Sequence, residues 1–429
     1  MSASAGFRPQ RVLAVDLATG HLEYPDPKNR PDHPRARVLV RWLEENLGVV
    51  ELEVPDHDIA RAAAEQAWER FGPELAEAML RYGMPRPGAL ADVALGTRER
   101  PPSPTRRTGP LATVTIASFR SAESTVRTVR RVLESDYTPF EVVVVDNDAD
   151  PAPLSAALSD AFGRTPQVRW VHEPRQGLAY ARNAGLAAAR GSVMVFTDDD
   201  VLVDQHWLAR VVTAFDEADG VGCVTGAILP AEVETPAQLW LEEFGGFHKG
   251  FRRQVFDSTA HRHDSPLYPY NAGLFGSGAN MAFRTEVVRG LGGFAVDLGV
   301  GTAAQGGEDL DIFQRTVSAG HAVVYEPSAL MWHSHRRSLE ALRRQMFRYG
   351  VGLTATVTKW MLDDPRTAVA ILRRVPAGTR YLLSPTSKKN QGKSAGFPPE
   401  LTRLERLGLL CGPLAYLRSR HRIRTRGRS

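Results

Sequence analysis

The chain has 429 residues, 43% of them hydrophobic and 24% charged, with two cysteines and a formal net charge of +4. That length and balance exclude a disordered chain, a disulfide scaffold and a single small core, and predict about two globular domains. Residues 401–429 carry eight Arg against one acid, Glu405, a local charge of +7 that leaves −3 for everything before them; this argues against a nucleic-acid-binding domain and for a local function of the tail.

No apolar run approaches the ~20 residues that span a bilayer. The opening MSASAGFRPQ lacks a basic-then-apolar signal pattern. Cys223 and Cys411 have neither metal nor redox spacing. A cytoplasmic protein is expected. Residues 1–95 read as a small α/β accessory domain, with a strand over 11–16 (RVLAVD) and helices over 38–47 (VLVRWLEENL) and 59–79, where apolar residues recur at three- and four-residue spacing. Residues 96–110 (GTRERPPSPTRRTGP) read as a linker.

From 111 the pattern is regular. Strands at 111–118, 140–145, 168–172, 193–196 and 221–229 alternate with helices at 121–133, 153–162, 177–189, 204–217 and 236–244. Strands alternating with helices of 10–15 residues predict an α/β class, a Rossmann-like and mostly parallel sheet flanked by helices. The stretch 248–270 mixes aromatic, His, Arg and Pro residues without a period and reads as a lid. A glycine-hinged turn enters a short strand at 276–284, and a flexible loop at 299–307 (GVGTAAQGG) feeds a helix to about 319. A strand at 321–326 and a long helix at 339–361 follow; 353–406 reads as a C-terminal helical region, and 407–429 as an apolar-then-basic tail.

The chemistry concentrates at a few points. The buried strand beginning Val193-Met194-Val195-Phe196 runs into Asp198, Asp199 and Asp200. In open α/β sheets ligands collect at the carboxyl ends of strands. Three adjacent like charges call for a cation or a donor-rich ligand, and a hard divalent ion carrying a diphosphate is the natural counterpart. The alternative is a solvated turn capping the helix that starts near Asp204. The strand FEVVVV ends in Asp146, bringing a second carboxylate to the same sheet edge. Glu308 and Asp309 follow two glycines, residues that let a backbone fold closely around a ligand; the alternative is simple capping, since a helix dipole favours acids in the first turn.

In order, VTIASF, EVVVVDND, GLAYARNAG, FTDDDV, FGSGANMAFR, GGEDLD and MWHSH resemble family 2 glycosyltransferases of the GT-A fold, over roughly 111–352. The resemblance implies inverting transfer from a nucleoside-diphosphate sugar donor to a hydroxyl acceptor (glycan, lipid-linked or small-molecule), with Mg2+ or Mn2+, in cell-wall or polysaccharide biosynthesis. It implies that Ala117, Ser118 and Phe119 meet the nucleotide base, and that Asp146 accepts a ring N–H, which suits uracil, thymine or guanine. The family's Asn-Arg pair after this point is Arg120-Ser121 here. Gly177, Arg182 and Asn183 match the phosphate- and ribose-side helix, the arginine fork gripping phosphate oxygens unless it lies on a solvated helix face.

By the same resemblance, Asp200 holds the metal, Asp198 binds ribose or shares the metal, and Asp199 fills the variable position in the donor site. His333 completes the metal site, with His335 as its competitor. Asp309 is the base that takes the acceptor's hydroxyl proton, Glu308 orients it or holds acceptor hydroxyls, and Tyr268, Tyr270 and Asn280 lie toward the acceptor. Two other functions compete. A nucleotidyltransferase wants a Gly-rich, Arg/Lys-bearing loop after the first strand, and SFRSAEST has none. A non-catalytic nucleotide-sugar-binding module tolerates loss of either acid cluster, and both are intact. The tail from 407 reads either as attachment to an anionic membrane at the inner face of the plasma membrane, each basic residue contributing ~1 kcal/mol, or as a packed terminal helix.

Overall fold

A computed structural model describes residues 7–26, 32–95, 100–384, 387, 389–394 and 396–426. Residues 96–99 of the expected linker and 427–429 of the tail lie outside the described residues. Near the N-terminus, β1 (Gln10–Asp16), β2 (Leu22–Glu23), β3 (Arg35–Trp42) and β4 (Glu45–Glu53) form a sheet in the order β2-β1-β3-β4, covered on one face by the helix α1 (Asp56–Arg81). The helix expected over 38–47 is instead the β3–β4 hairpin, paired Val38 with Val50 and Trp42 with Glu45. Both faces of this sheet are apolar. Val38, Val40 and Trp42 pack with α1, while Leu39 joins Val12 and Ala14 in a core shared with the rest of the chain. A strand apolar on both sides loses its two-residue alternation and mimics helical spacing.

The larger body begins with β5 (Thr108–Ser118), α2 (Ala122–Leu133), β6 (Thr138–Asp146), α3 (Ala152–Phe162), β7 (Val168–His172), α4 (Leu178–Ala188) and β8 (Val193–Asp198). It continues through β9 (Val201–Val203), α5 (Trp207–Ala214), β10 (Val221–Pro230), α6 (Pro236–Phe244), β11 (Gln254–Phe256), β12 (Asn280–Arg284), α7 (Thr285–Gly290), α8 (Glu308–Ser318) and β13 (Ala322–His333). Together they make a nine-stranded sheet, β11-β13-β10-β12-β8-β5-β6-β7, with β9 paired to β13. The run β8-β5-β6-β7 is parallel, as is β10 with β13, and β12 lies antiparallel between β10 and β8. From β5 the chain builds outward through β6 and β7, then returns to add β8 on the other side. The crevice at such a reversal of strand order is where α/β sheets bind ligands. Register fixes its floor: Ala117 lies beside Asp198 and Ser118 beside Asp146.

The expected lid at 248–270 is largely packed down. Gln254–Phe256 pairs with β13, and Phe256, Tyr268 and Phe275 stack into the core with ring centroids 5.2 and 5.9 Å apart. Its aromatic residues are core, which is why they carry no surface period. The chain ends in α9 (Leu339–Asp363), α10 (Pro365–Leu372), α11 (Val375–Leu383) and α12 (Pro399–Arg426). α9 runs unbroken through 352 and α12 through 407, so neither position is a break between units. These two helices meet backbone to backbone; a Cβ on Gly350 would lie 2.0 Å from the Glu405 carbonyl oxygen. Among the described residues, no helix is long and apolar enough to cross a membrane.

Candidate active site

Four segments meet at the carboxyl edge of β5 and β8: the end of β8, the N-terminus of α8, the turn before β12 and the end of β13. Arg182 joins them. It stands on α4 with its side chain 3% exposed. Nη1 donates to Glu308 Oε1 at 2.7 Å, and Nη2 donates to the Gly278 carbonyl at 2.9 Å and to Asp198 Oδ1 at 3.4 Å. Its guanidinium also lies 5.6 Å from the Phe294 ring centroid. The expected phosphate grip is therefore replaced by an internal bridge between the two acid clusters. Asn183 likewise serves the fold rather than a ribose: its amide exchanges two hydrogen bonds with the Phe294 backbone, at 2.9 and 2.8 Å.

Asp309 faces the same turn, its Oδ2 accepting the Gly278 N–H at 3.0 Å. Burial pushes the Glu308 carboxyl up to about 7, Arg182 opposing the rise and Asp309 adding to it. Glu308 Oε2 is buried without a hydrogen-bond partner. The glycines before this pair have a structural reason. Gly307 has φ +90°, and a Cβ there would stand 1.9 Å from Thr356 Oγ1, so it permits the approach of α9 rather than of a ligand. Lys249, in the loop after α6, is held below the usual lysine range by burial, with the charge of Asp309 acting against that.

At the triplet, burial holds Asp198 above the usual carboxylate range, Arg182 opposing and Asp200 reinforcing. Burial, then Asp200 and Asp198, push Asp199 up to about 7. Asp199 does not face solvent freely; its Oδ2 accepts the Phe119 N–H at 3.4 Å. Burial works against the charged form of Asp200 too, but His333 beside it, Nε2 to Oδ1 3.3 Å, keeps this carboxyl below its ordinary value. Burial disfavours the His333 imidazolium, and Asp200 overcomes that to hold it above its ordinary value. Asp198, Asp200 and His333 each offer one ligand atom, all within 4.8 Å of one another. Two carboxylates and an imidazole suit a divalent cation that takes its remaining ligands from phosphate and water. His335 is not in this group. Its Nδ1 lies 3.3 Å from His333 Nδ1, its Nε2 bonds Glu242 Oε1 at 2.9 Å, and Glu242 Oε2 meets Arg37 Nη2 at 3.0 Å.

On the base side, Asp146 is buried; Oδ1 accepts the Asp148 N–H at 3.0 Å, while Oδ2 has no partner, and burial raises its carboxyl. Ala117 is half-buried, between Val145 and Asp198. Ser118 is not available to a base, because its hydroxyl is buried against Thr125 Oγ1 at 2.7 Å. Phe119 is 46% exposed, with the Arg120 guanidinium 5.0 Å from its ring centroid and Arg120 itself tied to Asp148. Gly177 has φ +142° and gives its N–H to Asn147 Oδ1 at 2.8 Å, its close neighbour being Gly301.

Two of the three acceptor candidates belong to the core. Asn280 is fully buried; its amide donates to the Ala227 and Ala329 carbonyls and accepts from Trp207 Nε1. Tyr268 is 2% exposed, and its hydroxyl donates to the Asp257 carbonyl. Tyr270 packs its ring against Trp360 and Arg374. The residues sequence reasoning missed are Arg37, Glu242 and Lys249. The first two lie 205 positions apart, and no local pattern signals their pairing.

Residues 113–290 match the family model described as glycosyl transferase family 2. The chain is 28% identical over 210 residues to a pre-mycofactocin glycosyltransferase of Mycobacterium tuberculosis, 49% of this chain and 40% of that protein. It is 28% identical over 245 residues to the succinoglycan biosynthesis protein ExoM of Rhizobium meliloti, 55% of this chain and 71% of that protein. The chain therefore spans less than half of the first relative's length. A solved structure of the mannosyltransferase PcManGT from Pyrobaculum calidifontis, in complex with GDP-Man and Mn2+, aligns with a TM-score of 0.47 at 18% identity, covering 82% of this chain and 96% of that one.

Arg182→Met should cost about 3–5 kcal/mol of folding stability in urea denaturation, because it leaves buried carboxylates without their counter-charge. A cost under about 1 kcal/mol would be the behaviour of an exposed arginine.

Proposed function

We propose, from the match of residues 113–290 to glycosyl transferase family 2, that this chain is a transferase of that family and moves a sugar from a nucleoside-diphosphate sugar to a hydroxyl acceptor with inversion at the anomeric carbon. The observation that carries the reading is the meeting of Asp198 and Glu308 on Arg182. Acids from two motifs more than a hundred residues apart thereby meet on one side chain. The names of the relatives, a glycosyltransferase and a succinoglycan biosynthesis protein, support sugar transfer and, from the second, a glycan product.

The nucleoside lies at the ends of β5 and β6. The partnerless Oδ2 of Asp146 is an acceptor awaiting a ring N–H, which uracil, thymine and guanine carry; a buried acceptor left unpaired is costly, so the base that fills it gains selectivity. Asp198, Asp200 and His333 would hold Mg2+ or Mn2+. A bound ion supplies positive charge to the leaving diphosphate. At the other wall Asp309 takes the hydroxyl proton as the acceptor oxygen bonds to the anomeric carbon and the bond to the diphosphate oxygen breaks, its electron pair leaving with the nucleotide. Glu308, locked to Arg182, keeps the first turn of α8 in place, and Lys249 lines the acceptor side of Asp309.

Asp309→Asn should lower kcat by about 10²–10⁴-fold while nucleoside-diphosphate affinity stays within a few-fold; retained turnover would refute the base assignment. Glu242→Gln removes the carboxylate that orients His335 and through it His333. It should weaken Mn2+ binding about 10–100-fold in a titration with nucleoside diphosphate present, and an unchanged affinity would contradict the placement of His333 on the metal.

A further inference from the structure

The helix α12 has two faces of different character. Leu401, Glu405, Gly408, Gly412, Tyr416 and Ser419 are buried toward the body. On the outer side Leu407, Leu410, Leu414 and Leu417 are 51%, 80%, 53% and 49% exposed. Their spacing of three, four and three residues sets them in one stripe about 15 Å long. Isolated exposed leucines are ordinary, but four in line on one helix are an unfilled apolar surface. Arginines bound the stripe: Arg403 and Arg406 before it, Arg418, Arg422 and Arg424 after it, all exposed. From Arg406 to Ser429 there is no acid, and Glu405 is buried and paired with Lys389. These charges are uncompensated among the described residues.

We propose that this face docks on an anionic lipid surface, the leucines entering the interface and the arginines meeting headgroup phosphates. Charge decides against the other apolar occupant, a second copy of the chain. A parallel pair of α12 helices would set Arg403 and Arg424 against themselves, and an antiparallel pair would set Arg403 near His421 and Arg424. Either arrangement opposes cation to cation, whereas anionic headgroups satisfy both ends. The inner face of the same helix reaches the catalytic wall. The Tyr416 hydroxyl donates to Asp297 Oδ2 at 3.0 Å, and its ring packs with Leu298 and Ala304, on the loop that leads into Glu308, and with Ala355 of α9. Docking therefore sets the loop before the acid pair one helix thickness from the lipid. That geometry fits an acceptor carried by the membrane, a consequence that rests on the transferase reading, whereas docking itself does not.

The test is co-sedimentation of the full chain with vesicles of phosphatidylcholine alone and with added phosphatidylglycerol, beside analytical ultracentrifugation without lipid. The full chain should pellet with the anionic vesicles only. The pair Leu410→Glu with Leu414→Glu should weaken that binding at least about tenfold, and the pair Arg418→Gln with Arg422→Gln should abolish the preference for the anionic lipid. Both pairs alter exposed residues outside the active site, so melting temperature and turnover on a soluble acceptor should stay unchanged. Failure of the full chain to bind anionic vesicles, equal binding by the leucine variant, or a dimer that the leucine variant converts to monomer would each overturn the proposal; the last would assign the face to a second copy.

Discussion

One buried guanidinium holds the two acid clusters together. Asp198, Asp200, Glu308 and Asp309 come from two segments that repel each other, and Arg182 is the cation set between them. Its bonds to Glu308, to the Gly278 carbonyl and to Asp198 draw β8, α8 and the turn before β12 onto α4. A buried charge of this kind is tolerated in low dielectric because it is paired and hydrogen-bonded on several sides. The balance remains acidic: four carboxylates face Arg182 and His333, the Glu308 carboxyl is pushed to about 7, and Asp198 is raised. A divalent ion is the species that relieves such an excess.

The layers behind the crevice explain why the chain continues past the sheet. α8 is pinned by Asp311, which receives Trp360 Nε1 and Lys359 from α9 and Arg315 from its own next turn. α12 is pressed onto α9 in turn. From the opposite side, the N-terminal sheet contributes Arg41 to Asp204, Glu45 to Arg210 and Arg37 to Glu242. The last of these makes an unbroken polar chain, Arg37–Glu242–His335–His333–Asp200, from the accessory sheet to the three-residue ligand cluster. The accessory sheet is thus in polar contact, through Glu242 and His335, with His333.

What was legible in the sequence follows from how local the cause is. The strand ends carrying Asp146 and Asp198 could be read because β-branched runs and their flanking acids are contiguous, and alternation of elements fixed the α/β class. The hairpin at β3–β4 misread as a helix because both its faces are buried. Arg182 misread as a phosphate ligand because an arginine on an Ala-rich helix looks the same whether its partner is a ligand or Glu308, 126 positions away. Asn280 and Tyr268 have polar groups that suit a sugar, yet their hydrogen bonds close within the core, on backbone carbonyls that no spacing rule identifies. The glycines before Glu308 suggested a backbone folding around a ligand, but what approaches Gly307 is Thr356 of a helix some fifty residues later.

If the chain is a transferase of the kind proposed, the two acid clusters serve one reaction. Anomalous scattering from crystals grown with Mn2+ and a nucleoside diphosphate measures it most directly. One strong peak is expected within coordination distance of Asp198, Asp200 and His333, with the terminal phosphate of the nucleotide directed toward Asp309. A metal bound elsewhere, or a nucleotide whose diphosphate points away from Asp309, would contradict it.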